Sequence, residues 1–152
     1  MVISVKLRGR TRGAIFVDAM LGIYILALLG LMFAATTMAA LVSRTMADER
    51  TKATSIVNRQ LESIKAIGYG NLTYSALYYY GLIESSPTSS PFSFTSAGST
   101  TDRVSELLPS GTGTVAVTDA SSTMRLVTVT VNWDSRTGTR TVSASTNLAK
   151  LK

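Results

Sequence analysis

Residues 19–42 read AMLGIYILALLGLMFAATTMAALV, an apolar run of 24 residues in which no side chain is charged. Coiled as an α-helix, this run extends about 36 Å at 1.5 Å per residue, and the hydrocarbon core of a bilayer is roughly 30 Å thick. A helix buried in a small soluble domain normally keeps a polar stripe, and this run shows none. The run therefore predicts a membrane-spanning helix.

The charges on either side of the run predict its orientation. Four cations stand in the first twelve residues, and only Arg44 follows the run closely. The four are Lys6, Arg8, Arg10 and Arg12. The positive-inside rule then places the N-terminus in the cytoplasm and residues 43–152 outside. Because so much of the net charge of +6 lies in this leader, we predict no direct contact with nucleic acid.

Composition narrows the chemistry that the chain can perform. Its 152 residues suffice for one modest domain, and the absence of His and Cys removes imidazole and thiol chemistry and any disulfide framework. The acids after residue 70 are scattered; they are Glu84, Asp102, Glu106, Asp119 and Asp134. Gly111-Thr112-Gly113 lacks the context and the remaining glycine of a phosphate-binding loop. We therefore predict no enzymatic activity, cofactor or metal, with Asp119 and Asp134 as solvated turn acids in preference to calcium ligands.

Asp18 lies at the N-terminal end of the apolar run, where a carboxylate has two interpretations. Either it lies in the lipid headgroup layer beside the basic leader, or it has a specific partner, because an unpaired charge in hydrocarbon is costly. The run as a whole also has an alternative interpretation, a secretory signal cut at Met38-Ala39-Ala40. The apolar core of such a signal is about 7–15 residues long, which the run exceeds.

Residues 8–42 resemble the N-terminal pattern of type IV prepilin-like proteins, the family of pilins and of the pseudopilins of type II secretion systems. The pattern consists of a short basic leader ending in Gly13, a small residue at Ala14, three apolar residues, an acid at the fifth place, Asp18, and a long apolar helix. Two residues depart from the commonest form, since Ala14 stands in place of Phe and Asp18 in place of Glu. The resemblance implies cleavage between Gly13 and Ala14 by a prepilin peptidase, and N-methylation of Ala14.

Further roles in the apolar helix follow from this resemblance. Asp18 would face the amino group of a neighbouring subunit's first residue and would set the axial register between subunits. Small side chains would permit close approach of neighbouring helices; these are Gly22, Ala27, Gly30, Ala34 and Ala35.

The function that the resemblance implies is that of a structural subunit of a type IV pilus-like or pseudopilus filament. Such a subunit is held in the bacterial inner membrane as a single-pass protein and then enters a periplasmic or cell-surface filament. Its implied partners are prepilin peptidase, other pilin-like subunits, membrane lipid before assembly, an inner-membrane assembly platform and a cytoplasmic assembly ATPase. Two alternatives remain open: a single-pass membrane-anchored binding or adhesion module, and an exported protein that is cut near Ala40.

Residues 43–68 predict an amphipathic continuation of the helix. Apolar side chains recur there at three-, four- and seven-residue steps, namely Met46, Ala53, Val57, Leu61 and Ile64, with Ile56 and Ile67 alongside. Asp48 and Lys52 are four residues apart on the polar side, a spacing that supports a helix. Gly68 is expected to end the helix in the left-handed conformation.

Residues 69–152 predict a β-rich extracytoplasmic head. Residues 126–133 alternate, with Val127, Val129, Val131 and Trp133 on one face. Further strands are expected at 115–117 and 139–146, and a hairpin connection at 134–138. Residues 85–101 predict a Ser/Thr-rich loop that Phe92 and Phe94 attach to the head.

The tyrosines that open this head have two interpretations. Tyr74, Tyr78, Tyr79 and Tyr80 could form a ligand-stacking patch, but aromatic side chains between a helix and a sheet are more often core and boundary residues, which we predict here. The complete expectation is an α+β, pilin-like fold, in which a leader (1–13), an apolar helix (14–42) and its amphipathic continuation (43–68) carry a head (69–152) whose antiparallel sheet packs on the second half of the helix.

Overall fold

The computed structural model describes residues 12–98 and 103–150, with side chains described from Phe16 onward. Its elements are α1 (Arg12–Ile67), a short 3₁₀ helix (Tyr69–Asn71), α2 (Tyr74–Tyr79), β1 (Phe92–Ser93), α3 (Val104–Leu107), β2 (Thr112–Ser121), β3 (Met124–Ser135) and β4 (Gly138–Ala149). A long N-terminal helix followed by a small antiparallel sheet is the α+β, pilin-like layout that the sequence predicts. The chain divides between Arg44 and Thr45 into two compact units, called here the N-terminal and the C-terminal unit.

Helix α1 ends where its sequence predicts. Its last residue is Ile67, and Gly68 follows with φ of 76° and ψ of 172°. Glycine adopts this positive φ at little cost because it has no Cβ atom, but its ψ lies outside the left-handed helical region, so the left-handed conformation expected for Gly68 is wrong. On the exposed side of the helix, the Nζ atom of Lys52 lies 2.8 Å from an Asp48 carboxylate oxygen, as the four-residue spacing indicates.

The core of the C-terminal unit lies between the second half of α1 and one face of the sheet. Buried side chains of α1 belong to one apolar cluster with buried side chains of β2 and β3. From the helix these are Ala53, Ile56, Val57, Leu61 and Ile64, and from the sheet Val115, Val127, Val129, Val131 and Trp133. The predicted packing of the sheet on this part of the helix is therefore confirmed.

The sheet is an antiparallel meander with strand order β1-β2-β3-β4. Val129 of β3 lies opposite Val115 of β2 and Ala144 of β4, so the three long strands contribute to one inner face. The strands extend beyond their predicted bounds. The predicted hairpin between β3 and β4 is confirmed, but its connection is shorter than 134–138, because Asp134 and Ser135 still pair with β4 and leave a two-residue turn.

The Ser/Thr-rich segment after α2 is attached to the sheet by its phenylalanines. Phe92 and Phe94 are both buried, as predicted. Phe92 also begins β1, which pairs with β2 at Val115, so the prediction of a loop throughout 85–101 is wrong at this point. Residues 99–101 of the predicted loop lie outside the described residues.

Candidate functional site

The N-terminal half of α1 exposes its apolar side chains. From Phe16 to Leu41, the large apolar side chains that are exposed range from 44% at Leu28 to 74% at Phe33. The helix is long and apolar enough, by length and composition, to cross a membrane. An apolar surface of this extent is uncommon on a soluble monomer and requires a lipid or protein environment to cover it.

The two threonine hydroxyl groups of the apolar run do not require water. The Oγ1 atoms of Thr36 and Thr37 both donate to the main-chain carbonyl oxygen of Phe33, at 2.9 Å and 2.7 Å. In hydrocarbon every polar group must find a partner within the protein, and these two find it one turn back along their own helix. The Thr-Thr pair is therefore compatible with the surrounding apolar residues.

Asp18 lies in α1 with its side chain exposed. No hydrogen bond or ion pair joins its carboxylate to another residue in the part of the chain that the structure describes. Gly13 and Ala14 fall within the bounds of α1, but the side chain of Ala14 and residues 1–11 of the predicted leader lie outside what the structure describes.

The predicted helix-packing residues do not all share one face. At 100° per residue, Ala27, Gly30 and Ala34 fall within a strip about 60° wide. Gly22 lies one turn after Asp18 and therefore on the same side as that carboxylate, whereas Ala35 lies outside the strip. Apart from the adjacent residues and backbone of the helix itself, no described atom lies within 4 Å of the position that a Cβ atom would occupy at Gly22 or Gly30, so a neighbouring helix has access to both.

The acids of the C-terminal unit serve its loops and strands. Asp119 accepts a hydrogen bond from Nε of Arg125 at 2.9 Å, and Asp134 accepts one from the Thr139 hydroxyl at 3.0 Å. Within residues 12–98 and 103–150, no group of three or more His, Cys, Asp or Glu side chains is placed to hold a metal ion. Asp119 and Asp134 each contact a side chain of the neighbouring strand, near the ends of the β2–β3 and β3–β4 hairpins.

Two polar contacts that position the C-terminal unit are not evident in the sequence. The indole Nε1 of Trp133 donates to the Glu49 carboxylate at 3.2 Å, which links β3 to α1. The Glu84 carboxylate accepts hydrogen bonds from the Ser93 hydroxyl, at 2.6 Å, and from the main-chain N–H of Ser96. Glu84 is the one charged residue between Lys65 and Asp102. A single charge in such a long uncharged segment is the feature of the sequence that indicates a structural role for Glu84.

The tyrosines after α1 are placed differently from their predicted core and boundary positions. Tyr74 packs against the core, but Tyr78, Tyr79 and Tyr80 are 50%, 83% and 51% exposed. The physical reason is that α2 is short and buries Leu77, so the tyrosines that follow Leu77 continue around the helix end toward solvent. The prediction is therefore wrong for these three residues.

In comparisons with models of protein families, with curated proteins and with solved structures, no match to this chain is found.

Proposed function

We propose that the chain is a structural subunit of a type IV pilus-like or pseudopilus filament. The observation that carries the proposal is that one helix, α1, exposes apolar side chains from Phe16 to Leu41 and, between residues 53 and 64, buries one apolar face in the core of a small α+β unit. The first part of such a helix is suited to lipid or to sister helices, and the second part carries the folded unit. The leader pattern around Gly13 and Asp18 supports the same function.

The energetics of the apolar segment suit a subunit that moves from the membrane into a filament. In the bilayer its side chains contact lipid, and in a filament the same surface is covered by other helices. Because both surroundings are apolar, the transfer free energy nearly cancels and helix–helix packing decides the balance. The strip of Ala27, Gly30 and Ala34 permits close backbone approach and supports this step.

Asp18 is the proposed register group between subunits. Within one chain its carboxylate is exposed on an apolar helix, which is unfavourable in hydrocarbon unless a counter-charge is present. Cleavage after Gly13 would create such a counter-charge, the amino terminus of Ala14, on every subunit. Pairing the two charges between neighbouring subunits offsets both desolvation costs and favours one axial offset of the helices.

The partners of this function follow from the proposal. Prepilin peptidase would act on the leader at the cytoplasmic side of the bacterial inner membrane. The inner-membrane assembly platform and the cytoplasmic assembly ATPase would then drive polymerisation with other pilin-like subunits. The product would be a periplasmic or cell-surface filament.

Mass spectrometry of the mature chain tests the proposal directly. We expect a terminus at Ala14 carrying one N-methyl group, and we expect Gly13→Ala to leave the precursor uncut. An intact Met1 on native protein would instead support a membrane-anchored binding module, and a terminus near residue 41 would support an exported protein. Either of those termini overturns the filament proposal.

A second measurement separates processing from assembly. Asp18→Ala should be cleaved normally but should enter filaments poorly, because its helix lacks the carboxylate that pairs with the neighbouring terminus. Asp18→Glu is the matched control, since it keeps the charge, and it should assemble. The measurement is the amount of each variant in sheared filaments relative to the amount that remains in the membrane. Equal incorporation of Asp18→Ala and the unmodified chain would contradict the register role of Asp18.

A further inference from the structure

The four tyrosines of residues 74–80 form an ordered aromatic surface on the C-terminal unit. The rings of Tyr74 and Tyr78, one helical turn apart, stack with centroids 5.9 Å apart and planes at 11°. Tyr79 and Tyr80 meet edge to face with centroids 5.5 Å apart. A groove of about 740 Å³ opens beside these rings, bordered by Tyr74, Ser75, Tyr78, Tyr79, Gly81, Ile83, Ala97 and Gly98. We call this area the tyrosine surface.

The tyrosine surface is held in place before any ligand arrives. The Tyr74 hydroxyl donates to the carbonyl oxygen of Ser85 at 2.8 Å, and its ring lies 6.1 Å from the buried ring of Phe92. Leu77 fixes α2 to the core from below, fully buried. Tyr74 is held in this way and Tyr78 stacks on it, so these two rings lose little conformational entropy on binding, which favours affinity.

Charge decides the class of ligand that this surface suits. Among the residues that the structure describes, none that borders the groove is charged, and the nearest acid in sequence, Glu84, has both carboxylate oxygens engaged by Ser93 and Ser96. A nucleic acid, an acidic polysaccharide or a phospholipid headgroup would require cations to neutralise it. The surface therefore does not suit an anionic ligand.

The exposed groups of the surface are ring faces and hydroxyls. Ile83, the aliphatic residue that borders the groove, is buried, and Arg59 lines the adjoining cavity and not this groove. The described border of the groove thus presents no exposed aliphatic or Arg side chain of the kind that accompanies tyrosine in protein interfaces. Flat aromatic faces pack against the C–H faces of sugar rings, while the hydroxyls of Ser75 and the tyrosines match sugar hydroxyls.

We propose that the tyrosine surface binds a neutral polysaccharide chain. The stacking groups are Tyr78 and Tyr79, with Tyr74 held behind Tyr78 as its support. This binding site lies within the C-terminal unit and is independent of processing, membrane insertion and filament formation. Its success or failure is therefore separate from that of the filament proposal.

The test measures binding of the full-length chain in detergent to four pentasaccharides by isothermal titration calorimetry. Three are neutral: cellopentaose, mannopentaose and the pentamer of N-acetylglucosamine. The fourth, pentagalacturonate, is acidic. We expect at least one neutral pentasaccharide to bind, and pentagalacturonate not to bind. Raising the salt concentration about tenfold should leave the affinity nearly unchanged, because no counterions are released.

Substitutions locate the site. Tyr79→Ala should weaken binding by about tenfold, the effect of removing one stacked ring, and Tyr79→Phe should keep most of the affinity because the ring remains. Met124→Ala is the control outside the surface, and it should bind as the unmodified chain does. The emission of Trp133 monitors whether each variant keeps its folded core.

Three results would overturn the proposal. The first is that none of the neutral pentasaccharides binds, and the second is that Tyr79→Ala binds as well as the unmodified chain. The third is that pentagalacturonate binds best with a steep dependence on salt. A loss of self-association in Tyr79→Ala, with sugar binding unaffected, would assign the surface to a second copy of this chain and would equally reject the polysaccharide.

Discussion

Gly113 is the position at which a single methyl group has the most direct consequence for the sheet. A Cβ atom at this residue would lie 2.6–2.8 Å from ring atoms of Phe94. The backbone joins the two segments there as well, because the N–H of Phe94 donates to the Gly113 carbonyl oxygen at 2.9 Å. The ring therefore covers the strand closely enough to require glycine.

Gly113→Ala should lower the free energy of unfolding by about 1–3 kcal/mol, the usual cost of forcing an extra group into a packed core. Urea unfolding of the full chain in detergent, followed by the emission of Trp133, measures the change. Gly70→Ala is a matched control, because nothing lies within 4 Å of a Cβ atom there, and it should be nearly neutral. Adding Phe94→Leu should recover part of the loss; an undiminished loss would show that the ring is not the obstacle.

Trp133 serves as the reporter because it is the one tryptophan of the chain and is only 4% exposed. Its ring packs in the core, while its N–H reaches the Glu49 carboxylate. A buried indole requires such a partner, since an unsatisfied donor costs about 1–3 kcal/mol. Separation of β3 from α1 exposes the ring and removes this partner, so its emission follows the packing of the sheet on the helix.

At the scale of the elements, the sequence predicts best those helices and strands whose apolar residues recur at the full helical or strand spacing. The second half of α1 repeats its apolar residues at helical spacing, and Val127 to Trp133 alternates at the spacing of a strand, so each shows its buried face. The ends of β2 and β4 are mostly Ser, Thr and Gly, and only hydrogen bonds to β3 make them strands. Such strand pairing depends on residues that are distant in sequence, so the local residue pattern does not predict where β2 and β4 end.

The candidate site is likewise predictable from the sequence in part. The apolar run of α1 and the position of Asp18 follow from residue type alone. The exposure of Tyr78 to Tyr80 does not, because a run of three tyrosines has no period that distinguishes a buried face from an exposed one. Leu77 decides the orientation of α2 by filling the core, and that preference depends on residues far along the chain, among them Phe92.

The two faces of α1 within the C-terminal unit provide a matched pair of substitutions. Ala53 is fully buried against the core, whereas Ala66 is exposed. Ala53→Leu should destabilise the unit by about 1–3 kcal/mol through overpacking, and Ala66→Leu should change the stability by no more than about 0.5 kcal/mol. The stabilities of the two variants are compared by their midpoints of urea unfolding, measured on the full chain in detergent. Equal effects would contradict the placement of the sheet on the Ala53 side.

At the scale of the whole molecule, the two units differ in what stabilises them. The N-terminal unit exposes its apolar side chains and depends on lipid or other helices to cover them. The C-terminal unit has its own core, which includes five buried side chains of α1. The proposed passage from a membrane to a filament would not require the C-terminal unit to unfold, because the environment would change only around the apolar segment.

Two fragments test this division. Residues 45–152 should be soluble without detergent and should unfold cooperatively, because the fragment keeps the helix residues that complete its core. Residues 69–152 should not fold, since losing five core side chains removes about 1.5–3 kcal/mol for each large one, and the net stability of a domain is only about 5–15 kcal/mol. Sedimentation and the emission of Trp133 in a urea titration distinguish the cases. A cooperative transition with a buried tryptophan in residues 69–152 would mean that the sheet and its loops are stable by themselves, and that α1 serves only as their attachment.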